Sequence, residues 1–405
     1  MMELNMNKKV LLLTTVCFIG AYADLAHADH RGPNHYKDNY KDNWAADRSY
    51  KVIGSKNFYN FQSDLRKDKA VTRDIAWSKK TGLLSYLLYE DDKIVIDESV
   101  KFPKIVEESG NLLPAHSMGK SMVSYVTGHA ICEGYIDSVD VKLNDWPTIK
   151  NTLYEGQSLI DLLNMTAGDH KYIGQRNNRS DNRIKIKGTM TNVNTIPLYK
   201  VMRDATQLHT KRSTPWYSKT PIYNYSALTT NTIMNYVIYK TGDDWESLLH
   251  KVFTKHAKVK EAVHFTKIRD KIPFALPRTK ELGRYSFYAT RYDYLRIAKT
   301  MMDDWNNDTC VGKYLKTMYE RRITKHLGQN GWAGSSNGYR TWYSNSYGGQ
   351  FHFNLVGLTS RKILTMAGSG GQGIHIDFDA KRIIVINTSD NHINWRGHAY
   401  KHLKK

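Results

Sequence analysis

A serine and a lysine one helical turn apart are the residues of this chain best suited to covalent chemistry. Ser117 and Lys120 stand at the start of a helical pattern that follows Pro114. Residues three apart on a helix are neighbours on one face, so these two side chains should meet. A hydroxyl is a poor nucleophile until a base takes its proton, and a buried amine can be that base. The S-x-x-K spacing therefore predicts a nucleophile and its base within one turn.

The elements around this pair must position it. Apolar residues recur at helical spacing from position 117 to 134, and the segment EGYIDSVD at 133–140 then breaks the pattern. A second helix is predicted from Ser158 to Met165, and it runs into Thr-Ala-Gly. Because S-x-x-K also occurs by chance in a chain rich in Ser and Lys, these surrounding blocks carry much of the argument.

The blocks S-M-x-K-S, E-G-x-I-x-S-V-D and L-L-x-M-T-A-G resemble the opening of the serine hydrolases related to class C β-lactamases and penicillin-binding proteins. The branch they resemble most is that of the aminohexanoate-oligomer (nylon-oligomer) hydrolases and related esterases. The resemblance extends over residues 55–390, with the first block the most specific. It implies an α+β fold in which a sheet is flanked by helices and an all-α region is inserted.

The strand and helix patterns lead to the same α+β architecture. A β-hairpin is predicted between Leu83 and Glu98, and further strands are predicted at 350–356, 362–367, 372–377 and 382–387. Helical patterns lie between these groups, at 230–240, 290–302 and 309–320. Strands at both ends predict a mainly antiparallel sheet built from both termini.

A tyrosine in the middle of the chain is the candidate proton relay. The segment before the helix from Leu228 resembles the family's aromatic-x-Tyr-Ser-Asn block, which by this register puts Tyr225 in the catalytic position. Its phenol would pass a proton between Ser117, Lys120 and the leaving group. Tyr223 is the alternative register. Ala227 stands where β-lactamases carry Asn, which argues against β-lactam hydrolysis.

The run MAGSGGQG at 366–373 corresponds to the Lys-Thr-Gly or His-Thr-Gly block of the family. The resemblance implies an oxyanion hole formed by the backbone N–H groups of Ser117 and Gly371. The implied substrate-binding residues are Ser369, Gly370 and Gln372. Gly368 replaces the cationic first residue, so no carboxylate-binding group is expected there. A simple hairpin turn is the alternative interpretation of this run.

The N-terminus is typical of a secretory signal. Lys8 and Lys9 precede the apolar run 10–21, and Ala26-His27-Ala28 is a small-x-small cleavage site. The run is shorter than the roughly 20 residues of a membrane span. We expect export to the bacterial periplasm or medium, with no stable membrane insertion after cleavage. The predicted organisation is a signal peptide at 1–28, a polar tail at 29–50, the hydrolase domain at 51–390 and a basic tail at 391–405.

The formal net charge is +20, with a pI near 9.5. Such a charge can indicate nucleic acid or acidic partners, but no nucleic-acid-binding motif is present and the chain reads as exported. Residues 171–212 carry ten Lys and Arg residues against two Asp residues. We interpret this basic segment as a surface loop, either shaping substrate access or merely solvated.

The cysteines and the C-terminal histidines give negative predictions. After signal removal Cys132 and Cys310 remain, and a buried free thiol is the expectation for Cys132, because nothing in the sequence shows the Cα separation of about 7 Å or less that a disulfide needs. His392, His398 and His402 lack acidic or cysteine partners at metal-binding spacing, so a solvated tail is expected. We expect no metal and no cofactor.

These observations predict an exported serine hydrolase that cleaves an ester or a linear amide through an acyl-serine intermediate. The partner would be a small or short oligomeric substrate, anionic or not, and the sequence leaves the oligomeric state open. One alternative is a D-alanyl peptidase or β-lactamase that acts on cell-wall amides. Another is a non-catalytic binding protein of the same fold, whose basic segment holds an anionic polymer.

Overall fold

The structure, a computed structural model, describes residues 49–150, 154–167, 183–186, 189–192, 223, 225–267, 283–325, 344–389 and 395–405. The predicted signal peptide, residues 29–48 of the predicted polar tail, and His392 lie outside the described residues. The helices are α1 (Lys69–Ala76), α2 (Ser78–Thr81), α3 (Lys104–Glu108), α4 (Met118–Cys132), α5 (Leu159–Leu163), α6 (Ala227–Thr241), α7 (Trp245–Leu249), α8 (Arg291–Asn306), α9 (Cys310–Glu320) and α10 (Trp395–Leu403). A π-helical segment, His250–His256, follows α7.

The strands are β1 (Ser49–Val52), β2 (Gln62–Ser63), β3 (Leu83–Glu90), β4 (Lys93–Ser99), β5 (Leu113–Pro114), β6 (Arg183–Ile186), β7 (Thr189–Asn192), β8 (Val263–Lys267), β9 (Gly283–Ala289), β10 (Ile323–Thr324), β11 (Ser344–Gly348), β12 (Phe351–Leu355), β13 (Ile363–Gly368), β14 (Gln372–Asp377) and β15 (Arg382–Thr388). β6 and β7 pair with each other, so part of the predicted basic loop is a β-hairpin. Among the described helices, none is both long and apolar enough to span a membrane.

A nine-stranded sheet joins the two ends of the chain. Its strand order is β10-β11-β12-β13-β14-β15-β3-β4-β2. β15 pairs antiparallel with β3, with Ile384 opposite Leu88, so the C-terminal strands continue the N-terminal hairpin. β2 and β4 are the parallel pair among these described strands. The antiparallel sheet built from both termini and the α+β class are thereby confirmed.

Helices cover both faces of this sheet. α8 packs on β14, β15 and β3, while α1 and α10 pack on the opposite face. Every residue of β3 is buried, which explains why its sequence is apolar without strict alternation. Burying each Leu or Ile of such a strand contributes about 1.5–3 kcal/mol. The sheet is therefore the rigid support for the strand ends that reach the candidate site.

The C-terminal histidines are part of the core, so the predicted solvated tail is wrong at these positions. His398 and His402 lie on α10, 8% and 1% exposed. His398 Nε2 is 2.8 Å from Asp74 Oδ2, and His402 Nε2 is 3.2 Å from Asp68 Oδ2. The carboxylates come from the α1 region at the other end of the chain, where local spacing could not reveal them.

A second sheet holds the start of α4. Its order is β1-β8-β9-β5, and Leu113 of β5 pairs with Ala289 of β9. α4 begins four residues after β5 and is buried from Met118 to Ala130. A helix buried on all sides needs small residues at its closest contacts, and Gly128 lies against the ring of Tyr314 on α9.

Cys132 and Cys310 form a disulfide, which corrects the predicted free thiol. Their Cα atoms are 5.8 Å apart although 178 positions separate them in sequence. The packing of α4 against α9 brings the C-terminal end of one helix to the N-terminal end of the other. The sequence indicated neither this packing nor the pairing.

Candidate active site

Ser117 and Lys120 are in contact at the start of α4. Ser117 is the N-cap residue, and its side chain is half-buried. The Nζ of Lys120 donates a hydrogen bond of 3.2 Å to the Oγ of Ser117. The one-turn spacing thus brings a hydroxyl and an amine together, as the sequence predicted.

Lys120 is enclosed by two tyrosine rings. The residue is 1% exposed, and its Nζ lies 4.6 Å from the ring centroid of Tyr225 and 3.9 Å from that of Tyr285. Removing an amine from water favours its neutral, proton-accepting form, whereas aromatic faces attract the ammonium. The amine is thus held in a dry, aromatic cage beside the hydroxyl.

Tyr225 rather than Tyr223 stands against this lysine. Tyr225 is half-buried, directly before the α6 N-cap residue Ser226, and its ring also packs edge-on against Tyr347. Tyr223 is 2% exposed and packs on Tyr347, with ring centroids 5.1 Å apart. The geometry therefore favours the register with Tyr225 beside Ser117 and Lys120.

Tyr285 is a site residue that sequence analysis missed. It lies on β9, and its backbone carbonyl touches α4 at Gly119. Its backbone N–H donates to Asn231 Oδ1 of α6 at 3.2 Å. Nothing in its local sequence distinguishes it from the other tyrosines of the chain, because its position near Lys120 depends on how β9 packs against α4 and α6.

Gln350 is a second residue that the sequence did not reveal. It adopts a left-handed backbone (φ 68°) at the β11–β12 turn. Its Nε2 donates to the carbonyls of Leu162 and Leu163 at 3.1 and 2.9 Å, and its Oε1 accepts from Thr230 Oγ1 at 2.7 Å. Its own carbonyl accepts from Ser121 Oγ at 2.7 Å. One buried residue thus connects α4, α5 and α6 behind the Ser–Lys pair, through its backbone carbonyl to α4 and its side-chain amide to α5 and α6.

The glycine-rich run lies beside the strand that leads to Ser117. A Cβ on Gly368 would stand 2.4 Å from the carbonyl oxygen of Ala115, so only glycine allows this approach. A side chain of any kind at position 368 would clash with that oxygen. Gly370 and Gly371 have left-handed backbones with φ of 80° and 89°. The turn after β13 therefore passes close to Ala115, two residues before the candidate nucleophile Ser117.

The predicted substrate-binding residues in this run differ in exposure. Ser369 is exposed and Gly370 half-buried, whereas Gln372 is 1% exposed. Gln372 Nε2 donates to the carbonyl of Thr388 at 2.6 Å, and its Oε1 accepts from Asn387 and Thr388 at 3.3 Å. Its side-chain amide is therefore bound to β15, and substrate binding by Gln372 stays a prediction.

A second buried lysine lies beyond the tyrosines. Lys325 is 1% exposed, and burial lowers its pKa well below the usual value. Its Nζ is 2.5 Å from Ser344 Oγ and 2.8 Å from His352 Nδ1. It lies 5.9 Å from the ring of Tyr347, which in turn contacts Tyr225. Aromatic contacts therefore connect the two buried lysines.

No protein-family model matches the sequence, and no curated protein matches it. Solved structures do. A protein from Bacillus anthracis assigned as a 6-aminohexanoate-dimer hydrolase shares 14% identity over 88% of this chain and 89% of its own, with a TM-score of 0.56. A penicillin-binding protein from Bacillus halodurans shares 13% identity over 84% of this chain and 100% of its own, with a TM-score of 0.52.

EstCE1, described as a hydrolase with promiscuous acyltransferase activity, shares 11% identity over 81% of this chain and 94% of its own, with a TM-score of 0.53. At such identities the similarity concerns the fold, since many chemistries share one scaffold. The fold described above, with its sheet built from both termini and its helices on both faces, is the β-lactamase/penicillin-binding-protein fold.

Proposed function

We propose that this protein is an exported serine hydrolase that cleaves an ester or a linear amide through an acyl-serine intermediate. The observation that carries the proposal is the 3.2 Å hydrogen bond between the buried Lys120 amine and the Ser117 hydroxyl. A nucleophile with its base in hydrogen-bond reach is the arrangement that covalent catalysis needs. The nearby tyrosine ring of Tyr225 adds a proton carrier.

The steps follow from these groups. Ser117 Oγ attacks the substrate carbonyl carbon while Lys120 Nζ takes the hydroxyl proton. The N–H groups of Ser117 and Gly371 stabilise the oxyanion, and Tyr225 passes the proton to the departing alkoxide or amine. A water molecule then attacks the acyl carbon and gives a proton to Lys120. The bond from that carbon to Ser117 Oγ breaks, Lys120 returns the proton to Ser117 Oγ, and the acid product leaves. The proton moves only among Ser117, Lys120, Tyr225, water and the leaving group.

The preference for esters or linear amides over β-lactams rests on two positions without polar side chains. Ala227, fully buried in the first turn of α6, stands where β-lactamases carry an amide. Gly368 cannot carry a side chain, because Ala115 O fills the space. A D-alanyl peptidase or β-lactamase remains the rival enzyme, and a non-catalytic binding protein is the rival of another class.

The disulfide supports export. Disulfides persist in oxidising compartments such as the periplasm, and Cys132–Cys310 joins the end of α4 to the start of α9. The charged and apolar pattern of residues 8–28 points to the same route. Both observations favour a substrate encountered outside the cytoplasm.

Covalent labelling tests the proposal. The folded protein is incubated with a fluorophosphonate probe, and the adduct is located by mass spectrometry. We expect one adduct on Ser117, its loss in Ser117→Ala, and turnover of a short p-nitrophenyl ester exceeding that of nitrocefin. An adduct on another serine, or undiminished labelling of Ser117→Ala, would refute the assignment. Absence of both labelling and turnover would favour the binding protein, and faster nitrocefin turnover the β-lactamase.

A further inference from the structure

Two histidines and an aspartate meet far from the candidate active site. His129 belongs to α4, His256 ends the π-helical segment, and Asp304 lies on α8. One potential ligand atom from each lies within 4.8 Å of the other two. His129 is twelve positions after Ser117, which corresponds to about 18 Å along a helix. The cluster is therefore separate from the hydrolytic site.

His129 has a buried nitrogen that the protein alone leaves unsatisfied. The residue is 7% exposed, and its Nε2 has no hydrogen-bond partner among the described residues. Its ring lies edge-on to that of His256, with centroids 5.0 Å apart. Buried polar atoms are nearly always paired, so an unpaired nitrogen on a histidine that lies beside two other ligand-type residues indicates a missing partner.

Asp304 is held as metal-binding carboxylates usually are. It is 2% exposed, and its oxygens accept hydrogen bonds from Thr309 Oγ1 at 2.8 Å and Tyr125 OH at 2.9 Å. His256 Nε2 lies 3.0 and 2.9 Å from the two oxygens. Outer hydrogen bonds that fix a carboxylate are typical around metal sites. The carboxylate is thus oriented before any ion arrives.

We propose that His129 Nε2, His256 Nε2 and the Asp304 carboxylate bind one Zn²⁺ ion, with water as the fourth ligand. Two imidazoles and a carboxylate form a donor set that zinc accepts in tetrahedral geometry, with bonds of about 2.0–2.2 Å. The His256 side chain is 39% exposed, which gives the ion and the water a path. The ion takes the place of the proton between His256 Nε2 and the Asp304 carboxylate, and that proton passes to solvent.

The ion would connect three helical segments that the chain brings together from distant positions. Cys132, one turn after His129 on α4, is not a ligand because its sulfur is bonded to Cys310. The distance from Ser117 makes the site a structural cross-link rather than a part of hydrolysis. Its expected effect is on stability, because an ion that binds the folded state alone raises the thermal midpoint.

Zinc titration of the metal-free, disulfide-intact protein tests this. We expect one Zn²⁺ per chain by calorimetry, a raised thermal midpoint, and visible Co²⁺ absorption of a tetrahedral site. His256→Gln and His129→Leu should each weaken binding about 10–100-fold or more. His250→Gln, on the same π-helical segment but outside the cluster, is the matched control and should bind as wild type does.

The site would be overturned by no binding at millimolar Zn²⁺, or by equal affinity in wild type and His256→Gln. Should His129→Leu fail to fold, His256→Gln still decides, because its side chain is partly exposed. Loss of binding in His250→Gln with retention in His256→Gln would also place the ion elsewhere.

Discussion

Gly119 lies directly against the backbone carbonyl of Tyr285, so that a Cβ at position 119 would stand 1.9 Å from that oxygen. This contact lays α4 on β9 with no side chain between them. It also sets the distance at which the Tyr285 ring covers the amine of Lys120, 3.9 Å from centroid to Nζ. One missing methyl group therefore controls how closely the aromatic cage surrounds the candidate base.

Gly119→Ala should lower both stability and turnover. The added methyl must push β9 away, at a cost of about 1–3 kcal/mol in the free energy of unfolding. Gly128→Ala is the matched control, because its Cβ would meet the Tyr314 ring at 2.6 Å on the same helix, away from the site. Both variants should lose thermal stability, but only Gly119→Ala should lose turnover at a temperature where both are folded. Equal turnover in the two variants would contradict the inference that the aromatic cage around Lys120 is needed for turnover.

Lys120→Arg should leave a folded protein with turnover reduced by about a hundred- to ten-thousand-fold. Arginine keeps the positive charge but does not give up its proton, so it cannot serve as the base for Ser117. Lys120→Met, similar in shape and uncharged, should lose as much. Turnover would be measured with a short ester, alongside circular dichroism. If Lys120→Arg retained most activity while Lys120→Met lost it, the lysine would act through charge and not as a base.

Local patterns predicted the elements that carry the site. The hairpin of β3 and β4, the strands from β12 to β15 and the helix that begins beside Ser117 all follow from periodicity within short windows. The contact of Ser117 with Lys120 follows in the same way, since it needs only helical geometry. Predictions that depended on a single helix, strand or hairpin were therefore the ones that the structure reproduces.

Features that depend on two distant elements escaped the sequence. Gln350 looks like any turn residue until β11 and β12 are placed beside α5 and α6. Gln372 sits in a run that resembles a ligand-binding block, but strand pairing turns its amide toward Thr388. The disulfide and the buried histidines of α10 escaped for the same reason, because their partners lie far away in sequence.

His264 should make stability fall on acidification. It lies on β8, opposite Lys51 of β1, with Ser49 Oγ 3.1 Å from its Nδ1. Burial, with a smaller effect of Lys51, lowers the pKa of His264 to about 4. The unfolded chain, with a usual histidine pKa near 6.5, then binds the proton more readily than the folded one. The contribution of His264 to the free energy of unfolding is therefore complete above about pH 6.5 and is lost as the pH falls towards 4.

Thermal midpoints at pH 7.5 and 4.5 check this. His264→Gln, which keeps a hydrogen-bonding group and does not titrate, should show a smaller drop than wild type. His250→Gln, a half-exposed histidine elsewhere, should show the wild-type drop. Buried His129, whose pKa burial lowers to about 3, contributes in the same direction in all three proteins. Identical drops in wild type and His264→Gln would contradict the prediction.

Replacing both Cys132 and Cys310 by alanine should lower the free energy of unfolding by about 2–5 kcal/mol without abolishing turnover in the folded state. The disulfide closes a long loop, since the cysteines are 178 positions apart. Urea unfolding of the double variant and of oxidised and reduced wild type gives the measurement. Reduced wild type should match the variant. An unchanged urea midpoint would show that the disulfide adds nothing to stability.

Tyr225→Phe should reduce turnover about a hundred- to ten-thousand-fold with little change in thermal midpoint. The ring stays in place against Lys120 and Tyr347, while only the hydroxyl that would carry the proton is removed. Tyr223→Phe is the control, because Tyr223 packs on the same Tyr347 and tests the other register with the same chemistry. Turnover, thermal midpoint and fluorophosphonate labelling would be measured for both. A crippled Tyr223→Phe beside a nearly normal Tyr225→Phe would move the relay by two residues and leave Ser117 and Lys120 as they are. If neither variant lost turnover, the proton would reach the leaving group from Lys120 or water. The role of Tyr225 would then be only to enclose the Lys120 amine.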